Sequence, residues 1–387
     1  MHGEPLIPIF VLAMLAILAT SILLKKIKQP YVIAYLITGV ILGPYGIDMI
    51  SDHESLSRLG EVGVILLLFF AGMEVSPRKF AQNWKVPTIG TTLQILVSIL
   101  LTVALGYFVG WNFAKMFLYG SAICLSSTAV VLKLLEEKNE TKTRLGQNIL
   151  GVLLVQDLAV VPMLIIIGLL GGNVPTPTEI IIQIIGGVLV IALAAWMAVK
   201  DTIKLPFVSM LGQDKEMRVF TALIICFGMA SITGALGLSS ALGAFIGGMI
   251  VATAKETEWV AHSLQTVKTV FMAIFFVSIG MLIDLNLIWE NLGAFTALLL
   301  ATYVVNTIIN TLIFKSLKET WCEAISGAAM LSQIGEFSFV LISMAFSLSI
   351  LSTQTYEFCI SLISLSLLFS PLWIATINKL VVKYVKN

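Results

Sequence analysis

Long apolar segments alternate with short polar loops along the whole chain. A helix that crosses a bilayer needs about 20 mostly apolar residues, and thirteen segments meet that requirement. Their apolar positions are continuous, which excludes the alternating pattern of a transmembrane β-barrel. We therefore expect an all-α polytopic membrane protein with 13 transmembrane helices. The expected helices cover residues 6–24, 30–47, 56–73, 86–110, 115–133, 145–170, 179–199, 217–235, 237–254, 266–283, 289–313, 320–348 and 355–378.

The composition agrees with a membrane protein. Hydrophobic residues make up 58% of the 387 positions and charged residues 12%, whereas soluble domains carry about 25% charged residues. The net charge of +1 gives no reason to expect nucleic acid as a partner. The four cysteines lie singly, and the three histidines have no companion at metal-ligand spacing. We expect no enzyme activity, no resident metal and no cofactor.

Basic residues predict the orientation of the chain. If the N-terminus lies outside, 21 of the 23 Lys and Arg residues fall on the inner side of the membrane. The two exceptions are Arg58 and Lys115. Short cytoplasmic loops are enriched in basic residues, so we expect an external N-terminus and a cytoplasmic C-terminus. No small-residue cleavage site follows the first segment, which indicates a true span and not a signal peptide.

An acidic residue stands in the middle of the sixth segment. Asp157 lies in the stretch ILGVLLVQDLAVVPMLII, directly after Gln156, and no Lys or Arg lies within ten positions of it. Ionisable groups at membrane depth are costly and usually functional. Desolvation favours the protonated carboxyl, and a bound cation favours the ionised one. Asp157 is therefore predicted to bind a proton or a cation in competition; the alternative is a buried carboxylate tied to a distant partner.

Two of the apolar segments are interrupted by polar residues. The hydroxyls in the fifth segment could bond back to their own helix, or they could satisfy the freed backbone of a broken helix. The fifth and twelfth segments are seven spans apart, so they run in opposite directions, as an inverted repeat requires. The interrupting residues are Ser126, Ser127 and Thr128 in the fifth segment, and Ser332, Gln333, Gly335 and Glu336 in the twelfth.

A further acidic residue, Glu61, lies about one helical turn into the third segment. It either supports the transport core or lies close to the outer interface and is partly hydrated. The sequence leaves both interpretations open.

Seven stretches resemble a known family in order and in content. They are YVIAYLITGVILGPYG, LGEVGVILLLFFAGMEV, LSSTAVVLKLL, GVLLVQDLAVVP, SSALGAFIGGMI, FFVSIGMLID and LSQIGEFSFVL. The chain is identified by them as a member of the monovalent cation:proton antiporter-2 family. It is similar to the membrane part of Kef-type potassium/proton antiporters and to the short sodium/proton(-potassium) antiporters of the spore-germination type.

The resemblance implies a fold of the NhaA and NapA type, in which two inverted six-helix repeats flank a linking helix and helices 5 and 12 are discontinuous and cross. It also implies a homodimer in the bacterial inner membrane. The dimerisation subdomain would comprise residues 1–85 and 215–285, the ion-transport core residues 86–171 and 286–387, and the linking helix residues 178–200. Since the chain ends shortly after its last span, no soluble regulatory domain is expected.

Residue by residue, the resemblance makes Asp157 the ion-binding carboxylate and Gln156 its preceding partner. Thr128 and Ser127 match the unwound stretch of the fifth helix. Together with Asp157, the residues Gln156, Thr128 and Ser127 are expected to bind the cation and the proton. Asn306 stands where many relatives have a basic residue, and no Lys or Arg occurs between Lys268 and Lys315. The supporting positions of the core are Asn306, Gln333, Glu336 and Glu61.

The expected function is exchange of Na⁺ or K⁺ for H⁺ by alternating access, with a role in pH homeostasis. One titrating carboxylate beside neutral Gln156 and Asn306 predicts one proton per cation and electroneutral exchange. The alternatives are a cation channel or K⁺ uniport pathway, and a symporter for an organic anion. The sequence does not choose between sodium and potassium.

Overall fold

The computed structural model describes most of the chain. The described residues are 6–26, 29, 31–48, 62–63, 65–70, 72–73, 85–137, 139–140, 143–171, 182, 185–186, 188–189, 192–193, 196–197, 215–236, 238, 240–253, 264–316 and 318–384. All regular elements among these residues are helices, which confirms the predicted all-α class. The number of spans and their repeat arrangement stay predictions.

The described helices follow eleven of the thirteen predicted segments, and the two interrupted segments are each divided into two helices. The third predicted segment, 56–73, and the seventh, 179–199, lie partly outside the described residues. In chain order they are α1 (Leu6–Lys26), α2 (Tyr31–Leu42), α3 (Lys85–Val109), α4 (Phe113–Cys124), α5 (Thr128–Glu137), α6 (Arg144–Leu170), α7 (Lys215–Ala235), α8 (Ser240–Thr253), α9 (Gln265–Met281), α10 (Leu285–Glu290), α11 (Leu292–Ser316), α12 (Trp321–Met330), α13 (Phe337–Ser347) and α14 (Thr353–Tyr384).

Four of the described helices are long and apolar enough to cross a membrane. They contain the stretches Thr88–Val109, Arg144–Leu170, Leu292–Ser316 and Thr353–Lys383. Shorter apolar helices of 10–17 residues include Phe113–Cys124 and Phe337–Ser347, which are parts of the interrupted segments.

Helix α3 reverses the pattern of a helix on a water-soluble protein. Its apolar residues Leu93, Leu96 and Leu100 are 51–65% exposed, whereas Gln94 and Ser98 are buried. A surface helix of a soluble protein turns its apolar stripe inwards and its polar face outwards. An apolar outer face with a polar inner face fits a helix surrounded by lipid.

The chain divides into two compact units. Unit 1 comprises Met1–His53, Lys85–Val160 and Phe276–Asn387, and unit 2 comprises Glu54–Trp84 and Val161–Phe275. The first two helices thus group with α3–α5 and α10–α14 in unit 1. The predicted dimerisation and transport subdomains have other boundaries, and that assignment stays a prediction.

Unit 1 has an apolar core beside the start of α6. Its buried members come from α5, α6, α11, α12 and α14. The side chains of Ile149 on α6, Phe314 on α11 and Ala328 on α12 are fully buried there. This packing holds α6 against both interrupted segments. Unit 2 has its own core, in which Phe69 packs with residues of α7 and α8 such as Cys226 and Ala244.

Candidate ion-binding site

The fifth predicted segment breaks at residues 125–127, between α4 and α5. Neither Gly nor Pro occurs there. Leu125 has an extended backbone, with φ −82° and ψ 129°. The hydroxyl of Ser127 accepts a hydrogen bond from the backbone N–H of Val130 at 3.2 Å, which is the bond of a helix N-cap. The serine run therefore starts a new helix at Thr128 instead of continuing α4.

The twelfth predicted segment breaks between α12 and α13, and its break contacts the first one. The N–H of Gly335 donates to the carbonyl of Leu125 at 2.7 Å. In return the hydroxyl of Ser126 donates to the carbonyl of Leu331 at 2.7 Å. A Cβ on Gly335 would lie 2.5 Å from the carbonyl oxygen of Ser126. Only glycine allows this approach of two backbones.

The carbonyl groups at the end of α4 accept hydrogen bonds from side chains of four other helices and from a backbone N–H of the second break. A broken helix inside a membrane needs such partners for its freed backbone groups. The donors are Ser338 Oγ to Ala122 O at 2.7 Å, Asn306 Nδ2 to Ile123 O at 2.9 Å, Gln94 Nε2 and Gln156 Nε2 to Cys124 O at 3.2 and 3.0 Å, and Gly335 N to Leu125 O at 2.7 Å.

Asp157 lies half-buried on α6, beside the start of α5. The hydroxyl of Thr128 is 3.1 Å from its Oδ2 and 3.4 Å from its Oδ1. Thr128 is the first residue of α5, so its hydroxyl and the positive end of the helix dipole lie on the same side of the carboxylate. The arrangement brings together the predicted carboxylate and one predicted hydroxyl of the unwound stretch.

Gln156 is fully buried and faces the broken backbone. Its Oε1 accepts from the N–H of Ser126 at 2.9 Å. Its Nε2 donates to Cys124 O and to the Oε1 of Gln94, both at 3.0 Å. Gln94 is not among the residues predicted for the site. It could have been found as a lone amide in an apolar span, by the same criterion that identified Asp157.

Asn306 on α11 is fully buried and connects both broken segments. Its Nδ2 donates to Ile123 O at 2.9 Å and to Ser332 O at 3.2 Å. The C-terminal ends of helices carry partial negative charge. A neutral amide, at the position where the family resemblance leads us to expect a basic residue, therefore contacts the carbonyl ends of α4 and of the α12 segment.

The remaining predicted supporting residues are placed as follows. Gln333 lies in the second break and is fully buried, and neither atom of its amide has a hydrogen-bond partner among the described residues. Glu336 directly precedes α13 and is 6% exposed. Glu61 lies outside the described residues.

A second buried carboxylate, missed in the sequence, lies where α6 begins. Glu319, between α11 and α12, is 3% exposed. Its Oε1 lies 3.1 Å from Arg144 Nε and accepts from Asn148 Nδ2 at 2.6 Å. Because Lys318 precedes it in a polar turn, nothing in the sequence distinguished Glu319 from a solvated loop residue. It connects the first turns of the Asp157 helix to the turn that precedes the second interrupted segment.

Comparison with known proteins identifies the family. A family profile described as sodium/hydrogen exchanger, transmembrane, matches residues 10–380. The chain is 33% identical over 380 residues to "Iron transporter MagA" of Paramagnetospirillum magneticum, covering 98% of this chain and 87% of the relative. It is 30% identical over 358 residues to "K(+) efflux antiporter 5" of Arabidopsis thaliana, covering 91% of this chain but only 63% of that relative.

The fold is also that of a solved antiporter. The sodium proton antiporter MjNhaP1 from Methanocaldococcus jannaschii superposes with a TM-score of 0.70 at 15% sequence identity, over 99% of this chain and 100% of the other. The family predicted from the sequence motifs is confirmed. The chain belongs to the sodium/hydrogen exchanger family and has K(+) efflux antiporters among its relatives.

Proposed function

We propose that this protein exchanges a monovalent cation, Na⁺ or K⁺, for protons across a membrane. In this proposal the proton and the cation compete for Asp157. The observation that carries it is the contact of Asp157 with the hydroxyl of Thr128, 3.1 Å away at the start of α5, in a chain of the sodium/hydrogen exchanger family.

Each residue has a distinct task in the exchange. Ionised Asp157 accepts a hydrogen bond from Thr128 or binds the cation, and the Thr128 oxygen offers a lone pair as a second ligand. Protonated Asp157 is neutral. A bare charge at the membrane centre costs about 3 kcal/mol or considerably more. Only the protonated and the cation-bound forms therefore cross readily in alternating access, which couples the two ions.

Two uncharged amides at the break support electroneutral exchange. Gln156 and Asn306 carry no charge, and both donate amide N–H groups to backbone carbonyls at the end of α4. One carboxylate then releases one proton for each monovalent cation that it binds. An ion gradient at steady state that depends on membrane voltage would contradict this stoichiometry.

Two oxygen ligands favour a hard cation, and Na⁺ and K⁺ are both of this kind. The name of the bacterial relative, an iron transporter, makes iron a third ion to test, here as Fe²⁺.

We further propose that the protein is a homodimer in the bacterial inner membrane, with its N-terminus outside. The distribution of Lys and Arg supports that orientation.

The test is proton flux in proteoliposomes. An acid lumen is established, and Na⁺, K⁺ or Fe²⁺ is then added outside to wild type and to Asp157→Asn. Alkalinisation of the lumen by one cation, lost in the variant, is the expected result, and the most effective cation identifies the substrate. Cation movement without a proton response would favour the channel. Equal activity of Asp157→Asn would remove Asp157 from the mechanism.

A further inference from the structure

The side chain of Gln94 is a buried polar group that the proposed exchange does not use. It projects from the inner face of α3 and is fully buried, while its neighbour Leu93 is 53% exposed. A buried amide in a membrane helix requires hydrogen-bond partners. The partners of Gln94 are Cys124 O, at the end of α4, and Gln156, the residue directly before Asp157.

Gln94 and Gln156 share one backbone carbonyl. Both amides donate to Cys124 O, at 3.2 and 3.0 Å, and Gln156 also donates to Gln94 Oε1 at 3.0 Å. A carbonyl oxygen has two lone pairs, so both lone pairs of Cys124 O are used. The carbonyl that ends α4 is thereby occupied by two neutral amides.

Two backbone groups of the break, Ser126 N–H and Cys124 O, determine the orientation of both amides. Ser126 N–H is a donor, so the Gln156 atom 2.9 Å from it is an oxygen. Cys124 O is an acceptor, so the atoms of Gln156 and Gln94 that face it are nitrogens. Exchanging O and N in either side chain would place donor against donor or acceptor against acceptor. The network thus has one arrangement.

Consecutive residues of α6 then contact the break at two points. Gln156 binds the backbone of Ser126, and Asp157 contacts the hydroxyl of Thr128, two residues further along. Side chains of adjacent helix residues point about 100° apart. Fixing Gln156 therefore fixes the rotation of α6 that presents Asp157 to Thr128.

We propose that Gln94 is a positioning residue for cation binding, which acts by holding Gln156 on the broken backbone and away from the transported ion. The proposal rests on the proposed function, with Asp157 and Thr128 as the ligands. It assigns to α3 a part in cation affinity and in the choice between Na⁺ and K⁺. Without Gln94, one N–H of Gln156 loses its acceptor, and only Ser126 N–H and Cys124 O still hold its amide on the break.

The test is a double-mutant cycle on cation affinity. Gln94→Met, Gln156→Leu and the double variant are purified, and the apparent Kd for Na⁺ and for K⁺ is taken from the rise in Tm with cation concentration. We expect Gln94→Met to change the Kd of the preferred cation by about threefold to tenfold. The double variant should not differ from Gln156→Leu, because Gln94 acts through Gln156.

Thr91→Val is the matched control. Thr91 lies about one turn before Gln94 on α3, is fully buried, and its hydroxyl has no hydrogen-bond partner among the described residues. It should keep the wild-type Kd and flux. Gln94→Leu repeats the measurement with another shape, so that a folding defect of one variant does not decide the result.

The outcomes separate this proposal from the proposed function. Wild-type Kd values in both Gln94 variants overturn the proposal, as do additive effects in the cycle or an equal change in Thr91→Val. If wild type binds a cation but drives no proton flux, antiport fails and the binding cycle still decides the role of Gln94. A wild type that binds neither cation overturns both.

Discussion

The hydroxyl of Thr128 lies 3.1 Å from Oδ2 of Asp157, although the two residues are 29 positions apart and belong to different helices. The contact exists because α5 begins at Thr128, so that its side chain stands at the edge of the break. A continuous helix through residues 113–137 would carry this hydroxyl within a regular turn and would offer no free helix end to the carboxylate.

Removal of this hydroxyl should weaken cation binding. Thr128→Val keeps the shape of the side chain but loses the oxygen, and we expect the cation concentration for half-maximal proton flux to rise about tenfold. Thr128→Ser keeps the oxygen and should stay close to wild type. Flux in proteoliposomes at a series of Na⁺ and K⁺ concentrations measures the difference. Equal values for the two variants would exclude the hydroxyl as a ligand.

Asn306→Leu should destabilise the protein. The substitution leaves the carbonyls of Ile123 and Ser332 without their amide donor, and each buried unsatisfied group costs about 1–3 kcal/mol. Asn310→Leu is the control, because Asn310 is equally buried but, among the described residues, donates only to the carbonyl of Asn306 in its own helix. Thermal unfolding in detergent should show a clearly lower Tm for Asn306→Leu. Equal losses would mean that the bridge between the two breaks contributes little.

Gly335→Ala should separate the two breaks. The new methyl group would lie 2.5 Å from Ser126 O and 2.8 Å from Ser127 N, and overpacking of this kind costs about 1–3 kcal/mol, sometimes more. We expect a lower Tm and a loss of proton flux. Gly293→Ala on α11 meets no atom within 4 Å, so it should be neutral or stabilise the helix by up to about 1 kcal/mol. Wild-type flux in Gly335→Ala would show that the backbones need not meet.

Glu319→Ala should loosen the start of α6. It removes a carboxylate that pairs with Arg144 and accepts a hydrogen bond from Asn148. Because Arg144 is 66% exposed, we expect a loss of about 1–3 kcal/mol, less than for a fully buried pair. Glu290→Ala, at an exposed position of α10, should change stability by no more than about 0.5 kcal/mol. Thermal unfolding of both variants checks the comparison, and similar Tm values would contradict the structural role of Glu319.

Local composition was enough to predict the breaks and to make Asp157 the candidate carboxylate. Three hydroxyls in one apolar span and a charge in another are costly exceptions, and such exceptions are visible in the letters themselves. The prediction that residues near Ser127 interrupt a helix is therefore met by α4 ending at Cys124 and α5 beginning at Thr128.

The partners of these groups could not be predicted, because they depend on packing between distant segments. Asn306 contacts a carbonyl 183 positions away, and Glu319 pairs with Arg144 and Asn148, which precede it by more than 170 positions. The partners of Gln156 also depend on packing between segments that are distant in sequence. Its sequence position next to Asp157 favoured a ligand, whereas the backbone of the break occupies its amide in the structure.

The two breaks are joined by bonds of very long sequence separation, and this has a consequence for biosynthesis. Ser126 and Leu331 are 205 positions apart, and Ala122 and Ser338 are 216 apart. The ribosome delivers the first interrupted segment to the bilayer long before the second exists. Until then, carbonyls at the end of α4 lack their final donors. The nascent chain must meanwhile shield this segment, by water at the insertion machinery or by a temporary continuous helix, and it completes the site only when its last helices arrive.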